Sequence, residues 1–155
     1  MITSGRSLGN DEAAEHVETK IDLFQQKKFT SHAGIPMEWK IEMDALSDKE
    51  WDCLAKMIMG YEIRPFSKVV GIPRGGLKLQ HALEKYISSD ENDPVLIVDD
   101  VWTTGMSFRE FLDIQVIESM IASNGWFGWT IFARSETSDN VNALFQMPNA
   151  AWARC

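Results

Sequence analysis

The sequence predicts an α/β fold: a small parallel sheet flanked by helices, with an N-terminal hood ahead of it. Three observations point there. Strand-like and helical apolar patterns alternate from Lys68 to Ala133. Val95–Val98 is apolar without interruption, as expected of a strand buried on both faces of a parallel sheet. Gly-bearing turns follow two of the strand patterns, at Gly75-Gly76 and at Gly105. The chain has 155 residues, 45% of them apolar, which suits one domain with a single packed core.

Met1 to Asn10 reads as a loose tail. Asp11 to Lys28 reads as a helix with Val17, Ile21 and Phe24 on one face, so residues 1–28 form a tail and helix ahead of a domain over 29–155. Phe29 to Pro36 is a loop broken by Gly34 and Pro36. In Met37 to Met43 the apolar residues Met37, Trp39, Ile41 and Met43 alternate with charged ones, which predicts a half-buried strand. Ser47-Asp48-Lys49-Glu50 has the form of a capping box. It opens a helix whose buried face carries Trp51, Leu54, Ala55 and Ile58, with Gly60 as the stop. Lys68 to Ile72 is a short strand and Pro73-Arg74-Gly75-Gly76 the turn after it. Leu79, Ala82, Leu83 and Tyr86 mark the next helix, and Ser88 to Pro94 a polar linker. After the strand at Val95, a helix spans Phe108 to Ser123. Asn124-Gly125 ends it, and strands follow at Trp126–Ala133 and Val141–Met147.

The formal net charge is −8, and Lys27-Lys28 is the one basic pair that stands out, so nucleic acid is not an expected partner. No apolar run reaches membrane-spanning length, and the polar start lacks a signal-peptide core. Cys53 and Cys155 have no metal-ligand or disulfide pattern. The expected compartment is the cytoplasm.

Chemistry concentrates where ligands of open α/β sheets bind, beyond the carboxyl ends of strands. Asp99 and Asp100 follow four apolar residues directly, and Thr103, Thr104, Gly105, Met106 and Ser107 then open a helix. Amides at a helix start cradle an anion, glycine lets the backbone approach it, and hydroxyls add hydrogen bonds. Two carboxylates beside such a cradle suit the vicinal hydroxyls of a sugar. The second turn offers the amides of Gly75 and Gly76 and the forked donors of Arg74 to a further phosphate. A receiver domain also starts from an apolar strand and an acidic pair. It needs a further Asp and a Lys on later strands, and no such set follows Ser107.

Val95 to Ser107 resembles the phosphoribosyl pyrophosphate motif of the type I phosphoribosyltransferases, with Trp102 bulkier than the usual aliphatic residue. The resemblance implies that Asp99 and Asp100 hold the ribose hydroxyls and act in catalysis. It implies that Thr103 to Ser107 wrap the 5′-phosphate, that Arg74, Gly75 and Gly76 form the pyrophosphate loop, and that Mg²⁺ accompanies the ligand and touches Asp99 and Asp100. A nucleobase is then the second substrate, and a homodimer is compatible with the family. Phe29 to Asp44 is similar to the hood of the orotate branch. There His32 stands where a lysine is usual, and Arg134 stands where an arginine contacts orotate. A histidine in a loop and an arginine at a strand end are equally ordinary surface or salt-bridge residues. Trp102 and Trp126 could border a base pocket. In that family a strand and a mobile loop separate the pyrophosphate-loop helix from the motif strand. Here only Ser88 to Pro94 lies between them, so a lid is expected to be missing. The function expected is a slow phosphoribosyltransferase of nucleotide metabolism whose acceptor is a nucleobase such as orotate or another pyrimidine, with a non-catalytic or regulatory binder of the same metabolite as the alternative.

Overall fold

The computed structural model describes residues 23–147. An antiparallel hairpin comes first, β1 (Phe24–Thr30) against β2 (Pro36–Ile41), with a bulge in β1 between Gln26 and Phe29. The expected helix over Asp11–Lys28 is therefore corrected at its end: Phe24 to Lys28 form a strand, and the boundary at 28/29 falls inside it. Positions 11–22 lie outside the described residues. Gln25 to Lys28 are good helix formers, but Phe24 stacks on Trp39 with ring centroids 5.0 Å apart. The alternation in β2 supplies a partner edge, and pairing overrides local propensity. Gly34, at φ +82°, closes the turn, where Ser31 N donates to Ile35 O at 2.8 Å.

A 3₁₀ turn (Met43–Ala45) leads into α1 (Asp48–Tyr61). The capping box forms in full: Glu50 N donates to Ser47 Oγ at 3.3 Å, and Ser47 N to Glu50 Oε1 at 2.8 Å. The helix runs one residue past Gly60 and stops where Glu62 turns extended.

Four strands make one parallel sheet in the order β3 (Lys68–Gly71), β4 (Val95–Trp102), β5 (Trp126–Ala133), β6 (Val141–Gln146). Between β3 and β4 lies α2 (Leu77–Leu83), prolonged by a 3₁₀ turn to Tyr86. Between β4 and β5 the expected single helix is two, α3 (Met106–Leu112) and α4 (Gln115–Ile121). In one unbroken helix, the positions four and seven beyond Phe111 would be Gln115 and Glu118. The break at Asp113-Ile114 resets the phase so that Ile117 is buried instead.

Side chains of β4 alternate between two cores. Leu96 and Val98 pack with α1, α2 and the hood residues Ile41 and Met43. Val95 and Ile97 pack with Phe108, Phe111 and Ile117 of α3 and α4. No described helix is long and apolar enough to cross a membrane.

No strand intervenes between the turn at Tyr86 and β4. The polar linker is a short pinned turn. Ser88 N donates to Phe66 O at 2.8 Å, Ser88 Oγ to Asp93 Oδ2 at 2.6 Å, and Asn124 Nδ2 to Glu91 O at 2.6 Å.

Candidate functional site

At the carboxyl end of the sheet, β4 outruns its neighbour. β3 stops at Gly71, opposite Val98, while β4 continues along β5 through Trp102. The chain leaving β3 folds in beside this overhang. Ile72 N donates to Val98 O and Gly76 N to Ile72 O, both at 2.8 Å. The turn Pro73–Gly76, whose Pro73–Arg74 peptide is cis, is thereby brought against the acidic pair. A Cβ added at Gly75 would fall inside the Asp100 carboxylate, so any larger residue there must displace that side chain.

Strand alternation sends the two carboxylates to opposite faces. Asp99 continues the row of Val95 and Ile97 toward α3, and Asp100 the row of Leu96 and Val98 toward α1 and α2. The cavities follow this division. A pocket of about 50 Å³ holds Asp99 with Trp102 and the stretch Thr103–Phe108. A cleft of about 520 Å³ is bordered by both aspartates, Gly75 and Ser107. A third space of about 530 Å³ has Asp100 but not Asp99.

Asp99 is 6% exposed. Burial, then the Asp100 charge, pushes its pKa up to about 8. Asp100 is raised too: burial outweighs the hydrogen bonds it accepts, and the Asp44 charge adds to the rise. Backbone donors steady both carboxylates. Asp100 N reaches Asp99 Oδ1 at 2.8 Å, and Val101 N reaches Asp100 Oδ1 at 2.7 Å. Neither has a cationic partner among the described residues.

Beyond the pair, Gly105 turns at φ +83° and Trp102 packs flat against it, where a Cβ would collide with the indole. The helix start therefore sits close to the strand end. Amides in the first turn of α3 have no acceptor within the helix; Met106 N is met in part by Thr104 Oγ1 at 3.3 Å. Ser135 Oγ holds Thr103 O at 2.6 Å and fixes the loop from β5's side. The hood turn arches over it: Ser31, His32 and Ala33 line the small pocket, and His32 Nε2 lies 2.7 Å from Glu110 Oε1.

The structure thus brings together Asp99, Asp100, Arg74, Gly75, Gly76 and Thr103–Ser107. It sets apart two of the other residues singled out by sequence. Arg134 is 5% exposed and borders none of these three spaces. Its guanidinium lies 3.4 Å from the centre of the Trp39 ring, and Nη1 donates to Trp39 O at 2.8 Å. Burial lowers its pKa. It docks the hood onto the sheet. Trp126 starts β5 at the opposite end and packs on Phe108.

Sequence reading missed a buried carboxylate, Glu62, on the α1–α2 face. It accepts from Trp129 Nε1 at 2.8 Å and from Arg64 Nη2 at 2.8 Å. Burial alone would raise its pKa, but these hydrogen bonds prevail and hold it at about 2. Arg64 is two residues away, but no local signal links Glu62 to Trp129, 67 positions on. Asp44 and Lys78, which line the third space, were also missed.

No family model and no curated protein matches the chain. Solved structures do. Orotate phosphoribosyltransferase from Aeropyrum pernix superposes with TM-score 0.62 at 20% identity, over 80% of this chain and 88% of that one. The chain has a type I phosphoribosyltransferase fold. Orotate phosphoribosyltransferase of Mycobacterium tuberculosis H37Rv, solved with inorganic phosphate, gives TM-score 0.57 at 14% identity, over 87% and 94% of the two chains. A phosphoribosyltransferase from Corynebacterium diphtheriae gives 0.54 at 11%, over 88% and 94%. On this fold, the turn after β3 and the loop after β4 lie side by side at the carboxyl end of the sheet.

Proposed function

We propose that the protein binds phosphoribosyl pyrophosphate and transfers its phosphoribose to a ring nitrogen of a nucleobase. The observation that carries this reading is the junction of two loops on adjacent parallel strands. The Asp100 carboxylate lies on the Cα of Gly75, with the cradle Thr103–Ser107 on one side and Arg74 on the other. A sugar seated on Asp99 and Asp100 would have its 5′-phosphate in the cradle and its diphosphate at the turn. In the reaction the bond from the anomeric carbon to diphosphate breaks and the carbon–nitrogen bond forms. The diphosphate leaves with the electron pair, and the acceptor's N–H proton passes to solvent. Positive charge grows at the anomeric carbon, where the two carboxylates stabilise it, and Arg74 with the amides of Gly75 and Gly76 stabilises the leaving group.

Mg²⁺ fits the donor set, because two crowded carboxylates without a counter-charge favour a hard cation. Among the described residues no three such side chains group around one point, so the ion would take its other oxygens from the ligand. Bound there, it would neutralise diphosphate charge.

A second reading, a binder without turnover, is favoured by the pinned linker Ser88–Pro94, which supplies no lid from that stretch of the described residues. Calorimetric titration with phosphoribosyl pyrophosphate and Mg²⁺ tests the binding that both readings share, and base-dependent release of pyrophosphate separates them. Absence of binding would refute both.

A further inference from the structure

Of the two residues that the sequence offered to an acceptor's carboxylate, Arg134 is committed to the hood and His32 to an exposed pair. His32 is paired with Glu110 at 2.7 Å, and the Arg134 guanidinium is stacked on Trp39 and bonded to its carbonyl. Open space lies instead on the other side of Asp100. The cavity of about 530 Å³ between the end of the hood and α2 has Ile41, Met43 and Trp51 as an apolar wall, and Asp44, Arg74, Lys78 and Glu42, the last paired with Lys40 at 3.2 Å, as its charged rim. The side chains of Asp44, Arg74 and Lys78 make no hydrogen bond or ion pair among the described residues. The cavity shares Gly75 and Asp100 with the cleft that holds both aspartates, so a ring seated in it would lie beside the sugar.

We infer that Asp44, on the rim of this hood-side cavity, selects an acceptor base presenting N–H donors and rejects a carboxylated base. The inference rests on the phosphoribosyl pyrophosphate reading and adds the acceptor class to it.

Competition between charges carries the argument. A diphosphate bears several negative charges and takes the two unpaired cations, Arg74 and Lys78, first. With the donor in place, the unmatched charge left at the rim is Asp44, across from Asp100. The two carboxylates line the same cavity. An acceptor carboxylate would add a third negative charge at short range in a partly buried space, which is unfavourable. A ring N–H or exocyclic amine gives Asp44 a charge-assisted hydrogen bond instead. Ile41, Met43 and Trp51 offer a ring the apolar surface it needs.

The test uses the full chain with phosphoribosyl pyrophosphate and Mg²⁺, and follows pyrophosphate release with adenine, guanine, cytosine and uracil against orotate and nicotinate. At least one of the first four should release pyrophosphate faster than the base-free control, and the two carboxylated bases should not. Asp44 is exposed on its 3₁₀ turn, so replacing it leaves the core intact. Asp44→Ala should raise the KM for the accepted base tenfold or more, with donor affinity by calorimetry within twofold of wild type, and Asp44→Asn should recover part of the loss. Use of orotate or nicotinate, an unchanged KM in Asp44→Ala, or release with none of the panel despite donor binding would each overturn the inference alone. A wild-type protein that does not bind the donor would overturn the parent reading and this one with it.

Discussion

Gly75 and Gly105 are constrained by different neighbours, and the difference decides which substitution is informative. A Cβ at Gly105 would strike the Trp102 ring, and the residue also holds φ +83°. Gly105→Val would therefore disturb the packing of a core tryptophan as well as any ligand. At Gly75 the obstacle is the Asp100 carboxylate alone among the nearest atoms. Gly75→Ala is expected to shift that carboxylate and weaken donor binding at least tenfold, about 1.4 kcal/mol, with thermal unfolding near wild type. A titration showing unchanged affinity would remove Asp100 from the sugar site. The raised pKa values give a second expectation. At pH 7 the free pair retains a proton that a bound cation and diol would displace. Donor binding with Mg²⁺ should then release protons, and affinity should climb with pH up to about 8. Calorimetry in buffers of different ionisation enthalpy reads the proton count directly; zero release would contradict the shared-proton state.

The hood is a two-stranded element, too small to be stable by itself, and it is held by what it touches. Trp39 receives the Arg134 guanidinium on its face and a hydrogen bond at its carbonyl, while Ile41 and Met43 enter the core beneath α1. Arg134→Met keeps much of the volume and loses both interactions, at a cost of about 1–3 kcal/mol. It should lower the unfolding midpoint without changing which bases are accepted. A change in base preference with stability intact would return Arg134 to the acceptor site. Helix α1 depends on its first turn in the same local way: Ser47→Ala removes the cap and should cost about 1 kcal/mol, measurable by denaturant unfolding.

Across the whole molecule, the two carboxylate systems give stability opposite slopes with pH. The folded-state pKa of Glu62 is depressed to about 2, so its contribution is complete above the ordinary value near 4.5 and is lost as pH falls toward 2. The folded-state pKa of Asp99 is raised to about 8 from 3.8, so the ligand-free fold binds the extra proton. Its contribution is complete below about 3.8 and is lost as pH rises toward 8. Stability of the free protein should pass through a maximum in mildly acidic solution. Asp99→Asn should flatten the alkaline arm and Glu62→Gln the acid arm. If both arms survive the substitutions, other groups control the profile. The linker Ser88–Pro94 is pinned by Phe66 and Asn124 from two other segments, so among the described residues it supplies no cover for the proposed diphosphate turn. Release of pyrophosphate without any base should therefore be a measurable fraction of the total.

What the sequence determined by itself is what short range can encode. The alternation read over Met37–Met43 gives a strand that ends at Ile41, before the 3₁₀ turn at Met43, while the apolar run Val95–Val98 and the capping box at Ser47 each appear where they were read. So do the glycine turns that set the two loops at strand ends, because period, cap and turn chemistry act within a few residues. Tertiary structure decided the rest. It turned Phe24–Lys28 from helix to strand by stacking Phe24 on Trp39, and it broke the helix after Leu112 to bury Ile117. It also sent Arg134 to the hood and opened a cavity between Asp44 and Lys78. Each of these depends on which distant side chain arrives in the same space. A local pattern carries no information about that partner, and the free energy that chooses it comes from burial and pairing across the fold.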